Sequence, residues 1–214
     1  MKPFYAAIDG IDGCGKTTQI KLLSDYLAGL NIPFYVTKEP GGTDVGGILR
    51  KILISKDYHV EPETELLLYS ADRLEHQKKV VIPNMHKGYS VISDRFISST
   101  YAYQVFGRGL DRSLLDFLRN ISVSIYPDLT IIIDIEPSVA LERAKNRLKK
   151  HGLMEKEGKF ESLNIDFYAK VRDGFLWYAD NFSNVVVLDG NKSIESLFGD
   201  IKNRINEFIN DIWV

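Results

Sequence analysis

The stretch that most limits what this chain can become runs from Gly10 to Thr18 and reads GIDGCGKTT. Four residues separate Gly10 from Gly15, and Lys16 and Thr17 follow, which fits the pattern G-x-x-x-x-G-K-[ST]. A backbone that wraps a triphosphate must turn several N–H groups inward. Side chains would block that approach, so glycines stand at the tight points. Lys16 brings a mobile positive charge to the β- and γ-phosphates, and Thr17 offers a hydroxyl to Mg²⁺. A helix behind the loop aims the positive end of its dipole at the anion. Both flanks agree with this reading. Phe4 to Ile8 is a short apolar run suited to a buried parallel strand. Beyond the loop, Ile20, Leu23, Leu27 and Leu30 repeat at helical spacing.

The same alternation continues along the chain. Apolar runs at Phe34–Thr37, Tyr89–Ser93, Leu129–Ile135 and Val185–Leu188 read as four more strands. Helical patterns lie between them: Ile48 to Leu53, a long helix from Glu63 to Val81, and the polar, aromatic run Ser98 to Gln104. Further patterns start at Leu114, at Pro137, where a missing N–H costs nothing, and at Phe167. A last helix is capped by Ser193. Strands that alternate with helices predict an α/β fold of three layers. Its centre is a five-stranded parallel sheet with helices on both faces and right-handed crossovers. Periodicity fails from Leu148 to Asn164, a run rich in Lys and Glu that reads as a mobile lid at about 148–164. No linker or repeat divides the rest, so residues 1–214 are expected to form one domain.

Composition excludes several classes. The net charge of −2 over 214 residues supplies no global field for nucleic acid or a membrane surface. No apolar stretch approaches spanning length, and the N-terminus does not resemble a signal peptide, so a cytoplasmic enzyme is expected. Cys14 is the one cysteine. It can form neither an intramolecular disulfide nor a cysteine metal cluster, and it reads as a small residue that fits the loop.

A phosphate loop alone is compatible with a GTPase, an ATPase or a kinase. Three features favour a small-molecule kinase. Asp94 and Arg95 directly follow the third strand, where an acid can hold Mg²⁺ through water and a guanidinium can bridge donor and acceptor phosphates. Lys38, Arg73 and Arg95 offer more positive charge than one triphosphate needs, so a second phosphate is expected. A charged lid can exclude water, as a kinase must. No guanine-reading Asn/Thr-Lys-x-Asp element is present.

At this point the residues resemble a family. IDGIDGCGKTT, the EPGGT turn, the YSADR helix and the run DRFISSTYAYQ are similar, in order and spacing, to thymidylate kinases. The last motif is the most specific, with Asp94, Arg95, Phe96, Ser99, Ala102, Tyr103 and Gln104 in place. The resemblance implies transfer of the ATP γ-phosphate to dTMP with Mg²⁺, in a homodimer. It implies an ATP site of Gly10, Ile11, Asp12, Gly13, Cys14, Gly15, Lys16, Thr17 and Thr18, with Arg143 stacked on adenine. It implies a dTMP site of Asp12, Lys38, Glu39, Tyr69, Arg73, Arg95, Ser99, Tyr103 and Gln104. Tyr69 would stack on thymine, Arg73 would reach the base and acceptor, and Tyr103 and Gln104 would close on the deoxyribose and base edge. Metal ligands would be Thr17, Asp94 and Glu39, and catalytic groups Lys16, Arg95, Asp12 and Lys159. Lys159 is assigned because one branch of the family carries an Arg at the position of Gly13 and the other takes its cation from the lid. Lys149, Lys150 and Lys156 compete for that role. Lys38 stands where many relatives have Arg and cannot grip phosphate in a bidentate way. The alternatives are a kinase for another nucleotide or for a deoxynucleoside, and a non-catalytic nucleotide-binding regulator.

Overall fold

A computed structural model describes residues 2–150 and 164–210. Its centre is a sheet of five parallel strands in the order β2-β3-β1-β4-β5. These are β1 (Tyr5–Asp9), β2 (Phe34–Lys38), β3 (Ser90–Asp94), β4 (Leu129–Asp134) and β5 (Val185–Asp189). β1 lies in the middle and is buried along its whole length, as its unbroken apolar run requires of a strand covered on both faces. β2 and β5 are the edges and keep exposed residues.

Among the described residues nine α-helices cover the sheet: α1 (Lys16–Gly29), α2 (Asp44–Ile54), α3 (Pro62–His76), α4 (Ile82–His86), α5 (Ile97–Thr100), α6 (Arg112–Ser122), α7 (Pro137–Lys150), α8 (Ile165–Asn181) and α9 (Ile194–Asn210). Two π-helical segments, Gln77–Val81 and Tyr101–Gly107, join α3 to α4 and continue α5. The caps follow the sequence. Thr43 accepts from Gly46 N–H, Asn164 from Phe167 N–H and Ser193 from Ser196 N–H.

The expected alternation of strands and helices is the architecture found, with two differences. The helix expected over Glu63–Val81 widens into a π turn at Gln77 and runs on to His86. Pro83 in the first turn of α4 has no N–H to donate, and the widened turn precedes it. Gln77 uses its buried amide to bind the 124–125 loop, donating to Ile125 O at 2.8 Å and accepting from Ser124 N–H. The run expected to be helical over Ser98–Gln104 is a short α-helix followed by a π segment, against which α8 packs. Of the stretch expected to be a lid, 148–150 belong to α7 and Asn164 caps α8; residues 151–163, Lys159 among them, fall outside the described residues.

The register decides where the chemistry goes. Ile8 pairs with Asp94 and with Ile131, and Lys38 pairs with Asp94. The C-terminal ends of β2, β3 and β1 therefore lie side by side. The chain leaves all three into one crevice, the usual ligand position in an open α/β sheet.

Candidate active site

Asp9, the last residue of β1, holds that crevice together. It is fully buried and accepts from the N–H groups of Gly10, Phe96 and Ser99 and from the hydroxyls of Ser98 and Ser99. One carboxylate thus fixes the loop after β1 to the turn after β3. Nothing in the linear pattern singles Asp9 out, because its partners lie across the sheet.

The loop itself has the conformation that its glycines permit. Gly10, Gly13 and Gly15 all have positive φ. At Gly13 a Cβ would run into the carbonyl of Ala140, because the first turn of α7 lies directly on the loop. Lys16 is buried along its stem, and its Nζ donates to Gly10 O at 2.9 Å and Ile11 O at 3.1 Å. Burial pushes the Cys14 thiol up, with Lys16 pulling the other way. A raised thiol is an inert one, which suits the reading of Cys14 as filler.

A cavity of about 770 Å³ opens over the loop. Asp12 to Gln19 form its floor. By the strand order, Arg143, Gly190, Lys192, Ser193, Ile194 and Leu197, which follow β4 and β5, line one end, and Lys38, Glu39 and Arg50, at and beyond β2, the other, with Asp94 and Arg95 at the end of β3 between. Asp12, Gly13, Cys14, Gly15, Lys16, Thr17, Thr18, Lys38, Glu39, Asp94, Arg95 and Arg143 are thus brought together, while Gly10 and Ile11 do not line the cavity and instead hold the Lys16 ammonium with their carbonyls. Arg50 went unnoticed in the sequence. Its Nη1 donates to Pro40 O at 3.1 Å, and its signal was only a cation among the apolar residues of α2.

Arg95 occupies the centre. Its backbone is in the left-handed region, φ 78°, an uncommon state for a long side chain that the surrounding bonds impose. Its guanidinium donates to Asp12 Oδ1, to Ser99 Oγ at 2.8 Å and to Gly10 O at 3.3 Å, and lies over the Tyr103 ring at 5.3 Å. Burial alone would weaken its charge, but Asp12, Tyr103, Asp9 and Asp94 outweigh that and push its pKa up. The Tyr103 hydroxyl donates to Asp12 Oδ2 at 2.9 Å. Ser99 and Tyr103 thus reach the cavity through Arg95 and Asp12.

Behind the Lys38 end lies a buried ionic cluster. Arg73 Nε donates to Glu39 Oε2 at 2.9 Å, and Arg73 Nη2 to Thr100 Oγ1 at 2.7 Å. His76 Nδ1 bonds Glu39 Oε1 at 2.9 Å, and its Nε2 meets the Thr37 hydroxyl at 2.7 Å. Burial would raise the Glu39 carboxyl, but Arg73 and His76 win and hold it below the usual range. Asp72 is pushed up to about 6, first by burial and then by the Glu39 charge. Arg73 Nη1 is buried with no described partner. Tyr69 is half-buried on α3, its hydroxyl pushed up by burial and then by Glu65. Gln104 is buried and donates to Glu65, one turn of α3 before Tyr69.

The expected Mg²⁺ can be tested against these groups. Asp94 lines the cavity and has a buried Oδ1 with no described partner, and Thr17 is exposed to the same space. Both fit a hard cation held mainly by phosphate oxygens and water. Both oxygens of Glu39 are already engaged by Arg73 and His76, so it fits less well. No cluster of three or more His, Cys, Asp or Glu among the described residues could hold a metal alone.

The comparisons agree with this geometry. The family model described as thymidylate kinase matches residues 8–201. The chain is 42% identical over 203 residues to a thymidylate kinase of Carboxydothermus hydrogenoformans, covering 94% of this chain and 96% of that one. It is also 42% identical over 215 residues to one of Maridesulfovibrio salexigens, covering 98% of each. The crystal structure of thymidylate kinase from Ehrlichia chaffeensis superposes with a TM-score of 0.74 at 32% identity, covering 96% of this chain and all of that one. A phosphate loop facing a guanidinium and a second cationic end, on this sheet and with these relatives, places the chain in the thymidylate kinase family.

Proposed function

We propose the following division of labour for the reaction of this family, phosphorylation of dTMP to dTDP with ATP as donor. The triphosphate lies on the loop backbone, with Lys16 at its β- and γ-phosphates and Arg143 against adenine. Mg²⁺, when bound with the nucleotide, neutralises charge on the phosphates, and Thr17 and Asp94 would hold it. The dTMP phosphate lies toward Lys38 and Arg50, and Arg95 spans the gap between donor and acceptor. Asp12, fixed by Arg95 and Tyr103, meets the sugar. Tyr69 covers the base, and Arg73, which keeps a spare Nη1 donor, reaches its edge with Gln104. Glu39 holds Arg73 in place more than it holds metal. One observation carries the reading: a single cavity has cations at both ends and the Arg95 guanidinium between them. Transfer is then a matter of alignment and electrostatics, with no covalent intermediate.

An ADP-release assay with ATP, Mg²⁺ and a panel of acceptors tests it. We expect turnover with dTMP, weaker turnover with dUMP, and little with AMP, CMP or thymidine. Thymidine lacks the phosphate that Lys38 and Arg50 would hold. Turnover without any acceptor would mark an ATPase instead.

The remaining assignments are proposals from sequence and surface. Lys159 supplies the lid cation, so Lys159→Ala should slow turnover more than Lys149→Ala, and equal effects would remove that assignment. The enzyme works in the cytoplasm; among the described residues no helix is long and apolar enough to cross a membrane. It works as a homodimer. Leu114, Phe117 and Ile121 share one exposed face of α6, and Leu67 is exposed on the neighbouring α3. Such a stripe is an interface candidate, and sedimentation velocity reads the mass directly.

A further inference from the structure

Glu65 is a buried carboxylate to which the reaction above gives no task. It lies on α3 with no exposed surface and faces the π-helical segment that follows α5. Its Oε1 accepts from Gln104 Nε2 at 2.8 Å and from Arg108 Nε at 3.3 Å, and its Oε2 accepts from Arg108 Nη2 at 3.2 Å. Arg108 lies over the Phe167 ring at 5.4 Å.

A glutamine amide has two ends of opposite character, a carbonyl that accepts and an NH₂ that donates. A carboxylate facing a guanidinium offers acceptors only. If the Gln104 amide were turned over, its carbonyl would stand against the Glu65 oxygen, two acceptors in contact with no proton between them. In a buried site that arrangement forfeits a hydrogen bond and leaves polar groups unsatisfied. Glu65 therefore takes the NH₂ end. The Gln104 Oε1 is left pointing elsewhere, and no described residue donates to it.

We propose that Glu65 is a positioning residue that sets the nucleobase choice of the acceptor site by locking the Gln104 amide with its carbonyl outward. The proposal rests on the reading that Gln104 meets the base edge. A carbonyl there accepts from a base whose N3 carries hydrogen, as in a 4-oxo pyrimidine. It repels a 4-amino pyrimidine, whose N3 is a bare acceptor. The spare donor of Arg73 supplies the matching partner for the 4-oxo oxygen. Discrimination of this kind is strong because the wrong base leaves buried polar groups unpaired.

The test uses Glu65→Gln, with kcat/KM measured for dTMP and for dCMP in the presence of ATP and Mg²⁺. A glutamine at 65 offers both a donor and an acceptor, so the Gln104 amide is no longer held in one sense. The expected result is a fall of about tenfold in kcat/KM for dTMP, carried mainly by KM. The preference for dTMP over dCMP should shrink by at least about tenfold, with the KM for ATP unchanged. A folded Glu65→Gln enzyme that keeps the wild-type dTMP to dCMP ratio would overturn the proposal, however slow it is. If the single variant does not fold, Glu65→Gln with Arg108→Gln removes both charges together, and the same ratio decides. Gln104→Leu is the companion measurement. If it changes the ratio while Glu65→Gln does not, the positioning role fails and the placement of Gln104 stands. If Gln104→Leu leaves the ratio unchanged, the placement of Gln104 itself fails and takes the proposal with it.

Discussion

Replacing Arg95 by alanine is expected to lower kcat for dTMP phosphorylation about a thousandfold, the scale of an arginine that stabilises phosphoryl transfer, while ATP still binds. The guanidinium stands between the phosphate loop and the Lys38 end of the cavity. Negative charge is shared there between the leaving and attacking oxygens during transfer, so its contribution is greatest in the transition state. The groups that cradle ATP do not depend on it. Lys16 is held by Gly10 O and Ile11 O, and the loop conformation comes from its glycines. Asp9 keeps its bonds from Gly10, Phe96, Ser98 and Ser99, and Asp12 keeps the Tyr103 hydroxyl. The variant should therefore fold and retain an ATP affinity within about threefold of wild type, a difference under 1 kcal/mol. Arg95→Lys should recover only part of the loss, since an ammonium cannot form the fork that spans two phosphates. Near-normal turnover in Arg95→Ala would remove the bridging role.

The contrast between Arg95 and the groups around it shows what a sequence discloses. The phosphate loop was legible because its chemistry is local. Gly10, Gly13, Gly15, Lys16 and Thr17 do their work within eight residues. The parallel sheet was legible for the same reason, since each strand is one apolar run. Strand ends were less so: β1, β3, β4 and β5 each run one step into an aspartate or stop at one, at Asp9, Asp94, Asp134 and Asp189. An acid reads as loop until register shows it to be the residue from which the site is hung. Asp9 reaches Ser98 and Ser99 across the sheet. Glu65 reaches Gln104 from another helix, and His76 closes on Glu39 from the far end of α3. None of these pairs has a spacing that a linear pattern could carry. The π turns were invisible as well, because a widened turn keeps helical composition and changes only which side each residue faces.

The buried pair of Glu39 and Arg73 leads to the other large expected effect, this time on stability. Glu39→Ala should destabilise the fold by about 3–5 kcal/mol, the usual consequence of leaving one member of a buried ion pair uncompensated. For a chain of this size that corresponds to a fall in Tm of roughly 6–20 °C. Both side chains are almost fully buried, Arg73 2% and Glu39 3% exposed, so water cannot replace the lost partner. Among the described residues Arg73 would keep its bond to Thr100 and its place over the Phe96 ring but no anionic hydrogen-bond partner, and the KM for dTMP should rise because the guanidinium is no longer aimed. The pH dependence separates this cause from a simple cavity. In the native protein Asp72 keeps its proton between its ordinary 3.8 and about 6, whereas the unfolded chain releases it. The folded state then binds more protons, so this group makes stability fall as pH rises through that window. Glu39 acts with the opposite sign: its lowered pKa contributes stability above its unfolded value, and that contribution is lost as pH falls through the folded one. Removing Glu39 takes away its own acid limb and the charge that helps to raise Asp72. Melts of Glu39→Ala between pH 4 and 6 should therefore show a flatter profile than wild type. A variant that melts within a degree or two of wild type, with the same pH profile, would mean that Glu39 and Arg73 are solvated in solution and that Arg73 is aimed by something else.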